Sequence, residues 1–449
     1  MAPLLAPYNS SMRLGSGFNS YTQQLCVDDA VRKGNAVPPE PTKPEDGVAQ
    51  SVIYKTSIID KMSDITDALN ISGALTIKYN NLIDGTGKGT FINSNKINDA
   101  DINFLISVKV INQTITDNAL TEFTPVENLD PSIDFTQVYG DSFISGFQEG
   151  GDFNAVISVK VKDKNQKESI KADASVALTT PSFGASKKDK KKTEQFDKTQ
   201  TEDNETKEPG TGEEDSLKEP ESTQDPNSPG GLTIKGNAEV EKIQQDIFKE
   251  NEITISVNWS GGGQELKASD EDWDVTNLRK AALRFPALVA KTPVRTHAVL
   301  TKYTSLKSFY TKSNEGKGNK APLSYDNAGV YTSILQDAFL DYKNIYKDIR
   351  FLEADVDSKT KKLEKSTFNE TPEHSETPFA KEPFPATLTG LESAKFYIRR
   401  MMNLIVKDVD LITKEPGLAS DDRQLPCQCP LIFKHYLPIG VPINEAHSN

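Results

Sequence analysis

Cysteine is nearly absent from this chain. The three present, Cys26, Cys427 and Cys429, are too few for a disulfide framework, and Cys427-Gln428-Cys429 has no second Cys or His pair at ligand spacing. A reducing compartment or incidental usage accounts for them. Histidine is almost as scarce: His297, His374, His435 and His447 are scattered, and no metal pair, nucleophile elbow or Ser/His/Asp order can be assembled from them. His297, beside Arg295, reads as a capping or surface residue rather than a base. Basic charge is in deficit, with 52 Lys and Arg against 65 Asp and Glu, and the net charge of -13 argues against a general nucleic-acid binder. No apolar run approaches the roughly 18 residues of a membrane helix. The opening Met1-Ala2-Pro3-Leu4-Leu5-Ala6-Pro7 is too short and too Pro-interrupted for a signal peptide. These absences predict a chain that is not an enzyme, needs no cofactor or metal, has no nucleic-acid partner and is cytoplasmic as synthesised, with membrane association or release by a non-classical route as the alternatives.

What is present is alternation. Residues 1–50 form an N-terminal segment ending in a linker with Pro38, Pro39, Pro41 and Pro44. Residues 51–60 alternate loosely, and 61–72 predict a short helix running into a strand. Over 74–79, Leu75, Ile77 and Tyr79 alternate with Thr76 and Lys78, as a half-buried strand requires. The glycines of 84–89 invite a phosphate-loop reading but lack the strand-to-helix context that such a loop needs. Strands are predicted at 104–111, at 143–147 with 153–161, at 169–178 and at 253–259. Between the last two, 187–228 holds only Phe196 and Leu217 as large apolar residues, too little to offset conformational entropy, and is expected to lack fixed structure. An amphipathic helix is predicted over 238–249, with Val240, Ile243, Ile247 and Phe248 on one stripe.

Helices are further predicted at 273–283 and 297–310, with the apolar, Pro-bounded piece around Pro286 and Val289 leading from one to the other. Beyond 320 the spacing is helical: 330–352 and 388–412 each keep an apolar stripe over many turns and predict an antiparallel helical hairpin. The charged segment 356–385 reads as a loop, and the Pro-rich tail 425–442 as extended chain.

The segment Tyr139-Gly140-Asp141-Ser142-Phe143, followed after six residues by Gly150-Gly151, resembles the signature of the membrane attack complex/perforin (MACPF) superfamily. That signature is an aromatic-Gly-Thr/Ser-His-aromatic group, six residues and a Gly pair. Asp141 stands where the family has Thr or Ser, and Ser142 where it has His. The Gly pair marks a bend or a close backbone approach. The opening around Leu14-Gly15-Ser16-Gly17-Phe18 and the closing order Trp273, Pro286, Val289, Pro293 are similar to the family's as well, so the resemblance covers about residues 11–310. It is nearest to perforin-like proteins of filamentous fungi, several of which also read Tyr-Gly-Asp.

The resemblance implies an α+β fold, a bent antiparallel central sheet flanked by helices over 51–310, joined to a helical C-terminal region over 320–449. It implies two helical clusters that unfurl into amphipathic hairpins, and oligomers on membrane lipids that close a β-barrel pore. The first cluster is expected between the strand near Ile77 and that near Val108. The second is expected within 162–252, where Ile170, Ala174, Val176, Leu178, Val240, Ile243 and Ile247 are the candidate membrane-inserting residues. The alternative function is a non-lytic scaffold of the same fold that binds a lipid surface or a protein partner.

Overall fold

Alternate residues of two long strands carry the main core. The computed structural model describes residues 4–35, 50–59, 61–79, 100–130, 132–162, 251–267, 272–313, 321–367, 382–421 and 425–443, with isolated positions at 167, 170 and 171. Its strands are β1 Leu4–Pro7, β2 Gly17–Asn19, β3 Gln24–Leu25, β4 Val31–Lys33, β5 Ser51–Ile59, β6 Ile102–Thr116, β7 Leu120–Phe123, β8 Ser142–Lys160, β9 Glu252–Ser260, β10 Val294–Lys302, β11 Lys361–Glu364 and β12 Ile439–Pro442. Its helices are α1 Met62–Ala68, α2 Gly73–Tyr79, α3 Phe135–Tyr139, α4 Val275–Lys291, α5 Lys307–Ser313, α6 Ala328–Asp357, α7 Leu388–Lys414 and α8 Pro430–His435.

The order β5-β6-β8-β9 forms an antiparallel sheet; β10 and β2 pair with the first half of β8, and β1 pairs with β10. Along β6, Ile102, Phe104, Ile106, Val108 and Val110 share one face. Along β8, Phe153, Ala155, Ile157 and Val159 face the same way, with Phe104 opposite Ile157 and Val108 opposite Phe153. Leu278, Ala282, Phe285 and Val289 of α4 cover that face and are fully buried.

The opposite face is mixed. Ser158 Oγ donates to Asn103 Oδ1 at 2.7 Å and Ser107 Oγ to Asn154 Oδ1 at 2.8 Å, while Leu105 and Val156 meet Ile65, Leu69 and Ile71 around α1. A fully buried Val, Ile, Leu or Phe contributes about 1.5–3 kcal/mol, and a net hydrogen bond about 0.5–1.5 kcal/mol. The α4 face therefore carries most of the sheet's adhesion, and α1 with α2 lies on the weaker side.

In the C-terminal region α6 and α7 run antiparallel. Lys395 Nζ lies 2.8 Å from Glu353 Oε2, Arg399 donates to Tyr346 Oη at 2.7 Å and Tyr331 Oη to Asp408 Oδ2 at 2.7 Å, so rising numbers on one helix meet falling numbers on the other. Their core of Leu335, Tyr342, Ile349, Ile398, Met401 and Ile405 also takes in Tyr21, Ala74 and Ile77.

Several expectations are corrected. Residues 74–79 are helix, not strand: Leu75 N donates to Ser72 Oγ at 3.1 Å as a cap, and Ala74 and Ile77, three residues apart, share the buried side. The interval between the flanking strands is consequently 60–101, wider than the one expected between Ile77 and Val108. Helix α4 continues through Pro286 to Lys291, and the strand follows it at β10, where 297–310 was expected to be helical. The β-branched Val294, Thr296, Val299 and Thr301 lie in β10, which pairs with β8 from Val294 to Lys302 and with β1 over 297–300, and that pairing overrides helical spacing. The tail is not wholly extended: Pro430 opens α8, and β12 pairs with β11 inside the expected loop 356–385. The linker around Pro38, the glycines of 84–89, the tract 187–228 and the helix expected at 238–249 lie outside the described residues.

Candidate functional site at the glycine pair

The signature residues sit where the N-terminal turn meets β8. Tyr139 ends α3 inside an aromatic cluster with Phe123, Phe135, Phe143, Tyr303 and Phe309. Its carbonyl accepts from Tyr303 Oη at 2.8 Å, and its own hydroxyl accepts from Val126 N at 2.7 Å. Gly140 has φ +75°, and a Cβ there would meet the Phe18 carbonyl. Phe143 packs on Tyr303 with ring centroids 5.6 Å apart. Asp141 accepts from Ser20 N at 2.6 Å, Ser20 Oγ at 2.7 Å and Ser142 Oγ at 3.2 Å. Burial pushes its carboxyl up, and the Ser20 and Ser142 bonds oppose that shift. The two positions that depart from the family pattern therefore form a built polar anchor for the N-terminal turn.

Gly150 and Gly151 mark a change of partner. Up to Gly150 one edge of β8 pairs with β10, where Gly150 faces Val294; from Asp152 that edge pairs with β9, where Asp152 faces Ser260. On the other edge β6 runs past both, with an irregularity between Ile111 and Gln113. Neither glycine needs positive φ. Both are required by close approach: a Cβ on Gly150 would collide with the Val110 carbonyl, and one on Gly151 would lie 2.5 Å from Val289 Cγ2 and 2.8 Å from Ser260 O. β8 is thus one continuous strand of 19 residues rather than two separated by a bend.

A polar latch ties α4 to this junction. Gln50 Nε2 donates to Asn112 Oδ1 at 2.8 Å and to Pro286 O at 3.0 Å, and Asn112 Nδ2 donates to Val289 O at 3.2 Å. The Val289 carbonyl, in the last turn of α4, thus takes its partner from β6.

The elbow between α1 and α2 meets the junction from the opposite face. Asn70, at φ +56°, presents its carbonyl to Gln23 Nε2 at 2.7 Å, and Ser72 N donates to Gln23 Oε1 at 3.1 Å. Asn70 Nδ2 lies 3.3 Å from His297 Nε2, and His297 Nδ1 lies 3.9 Å from Asp152 Oδ2. His297 is therefore buried in β10 and not a surface or capping residue. Gln23, Asn70 and Asn112 were invisible to periodicity; only Asn70, a residue type that tolerates the left-handed region, carried any local signal.

Of the candidate membrane-inserting residues, Ile170 is helical rather than in a strand, and it is buried in the cluster under α4. Ala174, Val176, Leu178, Val240, Ile243 and Ile247 lie outside the described residues. Among the described residues, no group of His, Cys, Asp and Glu could hold a metal ion, and no helix is long and apolar enough to cross a membrane.

No family model matches the chain, and no curated protein matches it. Solved structures do match. Stonustoxin aligns over 94% of this chain and 43% of its own at TM-score 0.39 and 8% identity. GNIP1Aa from Chromobacterium piscinae aligns over 71% of this chain and 58% of its own at TM-score 0.30 and 10% identity. The human-specific toxin intermedilysin aligns over 57% of this chain and 41% of its own at TM-score 0.28 and 12% identity. The chain spans about half the length of these structures. None of them assigns an activity to it.

Proposed function

We propose that this chain is a perforin-like protein of the MACPF superfamily that binds membranes and forms pores through oligomers. One observation carries the reading: the two long segments between neighbouring sheet strands leave from the same end of the sheet. Ile59 of β5 pairs with Asn103, Ile102 of β6 with Val159, and Lys160 of β8 with Glu252. The chain therefore leaves and re-enters the sheet at one and the same end for both 60–101 and 161–251, as it must if two hairpins are to lengthen the sheet into a barrel wall. The sheet already has one apolar and one mixed polar face, the alternation that a membrane barrel needs. Among the described residues, β5 and β9 pair on one side only, which leaves an edge at each flank for another copy. Tyr139, Gly140, Phe143, Gly150 and Gly151 act here as the frame that fixes β8 between its partners. The likeness to fungal perforin-like proteins, carried by Tyr139-Gly140-Asp141, belongs to the same reading.

A second reading, a non-lytic scaffold, is favoured by the charge of 187–228, which falls inside the second segment. Each charge placed at the centre of a bilayer costs on the order of 3 kcal/mol or more unless an aqueous lumen takes it. Environment-sensitive fluorophores at Ala174 and Val240 test the inserting role of that segment. The pore reading expects blue-shifted emission on vesicles that the protein permeabilises. Unshifted emission there removes 161–251 from the barrel.

A further inference from the structure

Cations gather on one face of the C-terminal hairpin, although the chain as a whole carries a net charge of -13. On α7 no Asp or Glu stands between Glu392 and Asp408, and on α6 Asp348 alone stands between Asp341 and Glu353. The two stretches meet at Tyr346. Its hydroxyl accepts from Arg399 at 2.7 Å, and its ring centroid lies 5.4 Å from the guanidinium carbon. Lys343 and Arg350 stand one helical turn to either side of Tyr346 on α6, and Arg400 adjoins Arg399 on α7. Lys347 Nζ lies 5.4 Å from the Phe351 ring centroid. Arg350, Arg399 and Arg400 are exposed. The neighbouring carboxylates are engaged elsewhere. Glu353 and Glu392 both take Lys395, at 2.8 and 2.7 Å, while Asp341 and Asp348 line the groove between α6 and α8, which Lys347 also lines. Two of the face's cations are thus propped on aromatic rings, which orients their charge towards an anionic partner.

The chain carries the complement of this face. Residues 202–225 hold ten carboxylates against Lys207 and Lys218. Residues 161–201 separate β8 from that tract, and a chain of that length spans roughly 35 Å at coil dimensions. β8 ends at the same end of the sheet as β5, and α1, which follows β5, meets α6 at Asp337, where Ser63 Oγ donates to Oδ2 at 2.9 Å. From Asp337 to Arg350 is about 20 Å of helix. The face is therefore within reach of the tract, which meets it at a local concentration on the order of mM. At that concentration a set of exposed ion pairs suffices, each of them weak alone. We propose that the cationic face of α6 and α7 docks the chain's own acidic tract, residues 202–225, as an intramolecular and salt-sensitive contact. The stretch 368–381 matches the face less well, with Glu370, Glu373 and Glu376 against Lys381. A docked tract screens these cations, so an anionic surface has to displace it. The contact stands equally under the pore and the scaffold readings.

Carbodiimide cross-linking of the full chain tests the docking, because an activated carboxylate is joined to a lysine Nζ only where the two groups already touch. At roughly 20 mM salt, peptides from 202–225 should be joined to Lys343 and Lys347 within the monomer band, with a yield that falls about fivefold or more at roughly 0.5 M salt. Arg350→Glu with Arg399→Glu should lower the yield as far at low salt. Adding Glu213→Lys, Glu214→Lys and Asp215→Lys to that reversed face should restore linkage, now with amine and carboxylate exchanged. Linkage of 202–225 to lysines over the whole surface, or linkage to Lys343 and Lys347 that survives reversal of the face, overturns the proposal. Linkage of Lys343 to Glu370, Glu373 or Glu376 in place of 202–225 assigns the face to 368–381, and linkage confined to a dimer band assigns it to a second copy. Either result overturns the docking. Flotation with phosphatidylserine vesicles that needs Arg350 and Arg399, and is unchanged by deletion of 202–225, gives the face to a bilayer and overturns it as well.

Discussion

Gly150 and Val110 approach so closely across β8 and β6 that a Cβ on the glycine would occupy the space of the valine's carbonyl oxygen. The neighbours of a Cβ on Gly151 are mainly the far ends of side chains, Val289 Cγ2 and Phe285 Cζ, with one carbonyl, Ser260 O. Backbone yields less readily than a side-chain end. Gly150→Ala should therefore destabilise by about 1–3 kcal/mol, the usual range for overpacking, and by more than Gly151→Ala. Urea unfolding of the two variants checks the order, and two unchanged midpoints would reduce the pair to an ordinary stretch of strand.

The latch on α4 makes a second prediction. Asn112 joins Gln50 to the Val289 carbonyl, and its side chain lies in a buried setting. Asn112→Ala should leave buried polar groups unpaired at a cost of about 1–3 kcal/mol. Gln50→Ala should cost less, because Asn112 keeps its bond to α4. Equal losses would show that the three groups do not act as a chain.

Asp341 stands at an exposed position of α6, and its carboxyl is pushed above its ordinary value of 3.8, first by partial desolvation beside the packed helices and then by Asp337, against the opposing Lys61 and Lys434. A carboxyl raised on folding is held more readily as the acid in the native state. Its contribution is thus fully present below the ordinary value and is lost as pH rises through the folded one. Asp341→Asn should raise the melting temperature at neutral pH, and the gain should shrink as pH falls towards 3.8. A gain that persists unchanged in acid would assign the effect to something other than ionisation.

Thr66 and Gln336 are both buried and bonded to each other, and Thr66 Oγ1 also donates to Ser63 O at 3.0 Å. Thr66→Val alone should cost about 1–3 kcal/mol, because it strands the Gln336 amide. Adding Gln336→Leu should recover part of that loss. A double-mutant cycle by urea unfolding reads the coupling, and strictly additive losses would mean that the pair is not a unit.

The central strands were legible where apolar residues alternate with polar ones, as Ile106, Val108 and Val110 do with Ser107 and Lys109 in β6, and Phe153, Ala155, Ile157 and Val159 do with Asn154 and Ser158 in β8. Helices α6 and α7 were legible because a period of 3.6 persists through their length. β10 was not: Ala298, Val299 and Leu300 are all buried in succession, so no alternation survives. Residues 74–79 fit either period over so few positions, and the cap at Ser72 decides between them. The signature told of a close approach or a bend at Gly150-Gly151, and the close approach is what β6 and α4 impose. Gln23, Asn70 and His297 meet, and Asn112 meets Gln50 and α4, only once distant segments are brought together, so no local pattern could have marked them.

Release of a small dye from loaded vesicles, read beside electron micrographs of the same vesicles, tests the central claim most directly. The account predicts release that rises steeply with protein concentration, as oligomers require, together with ring-shaped particles on the membrane. Protein that binds the vesicles fully while the dye stays inside would contradict pore formation and leave the scaffold reading.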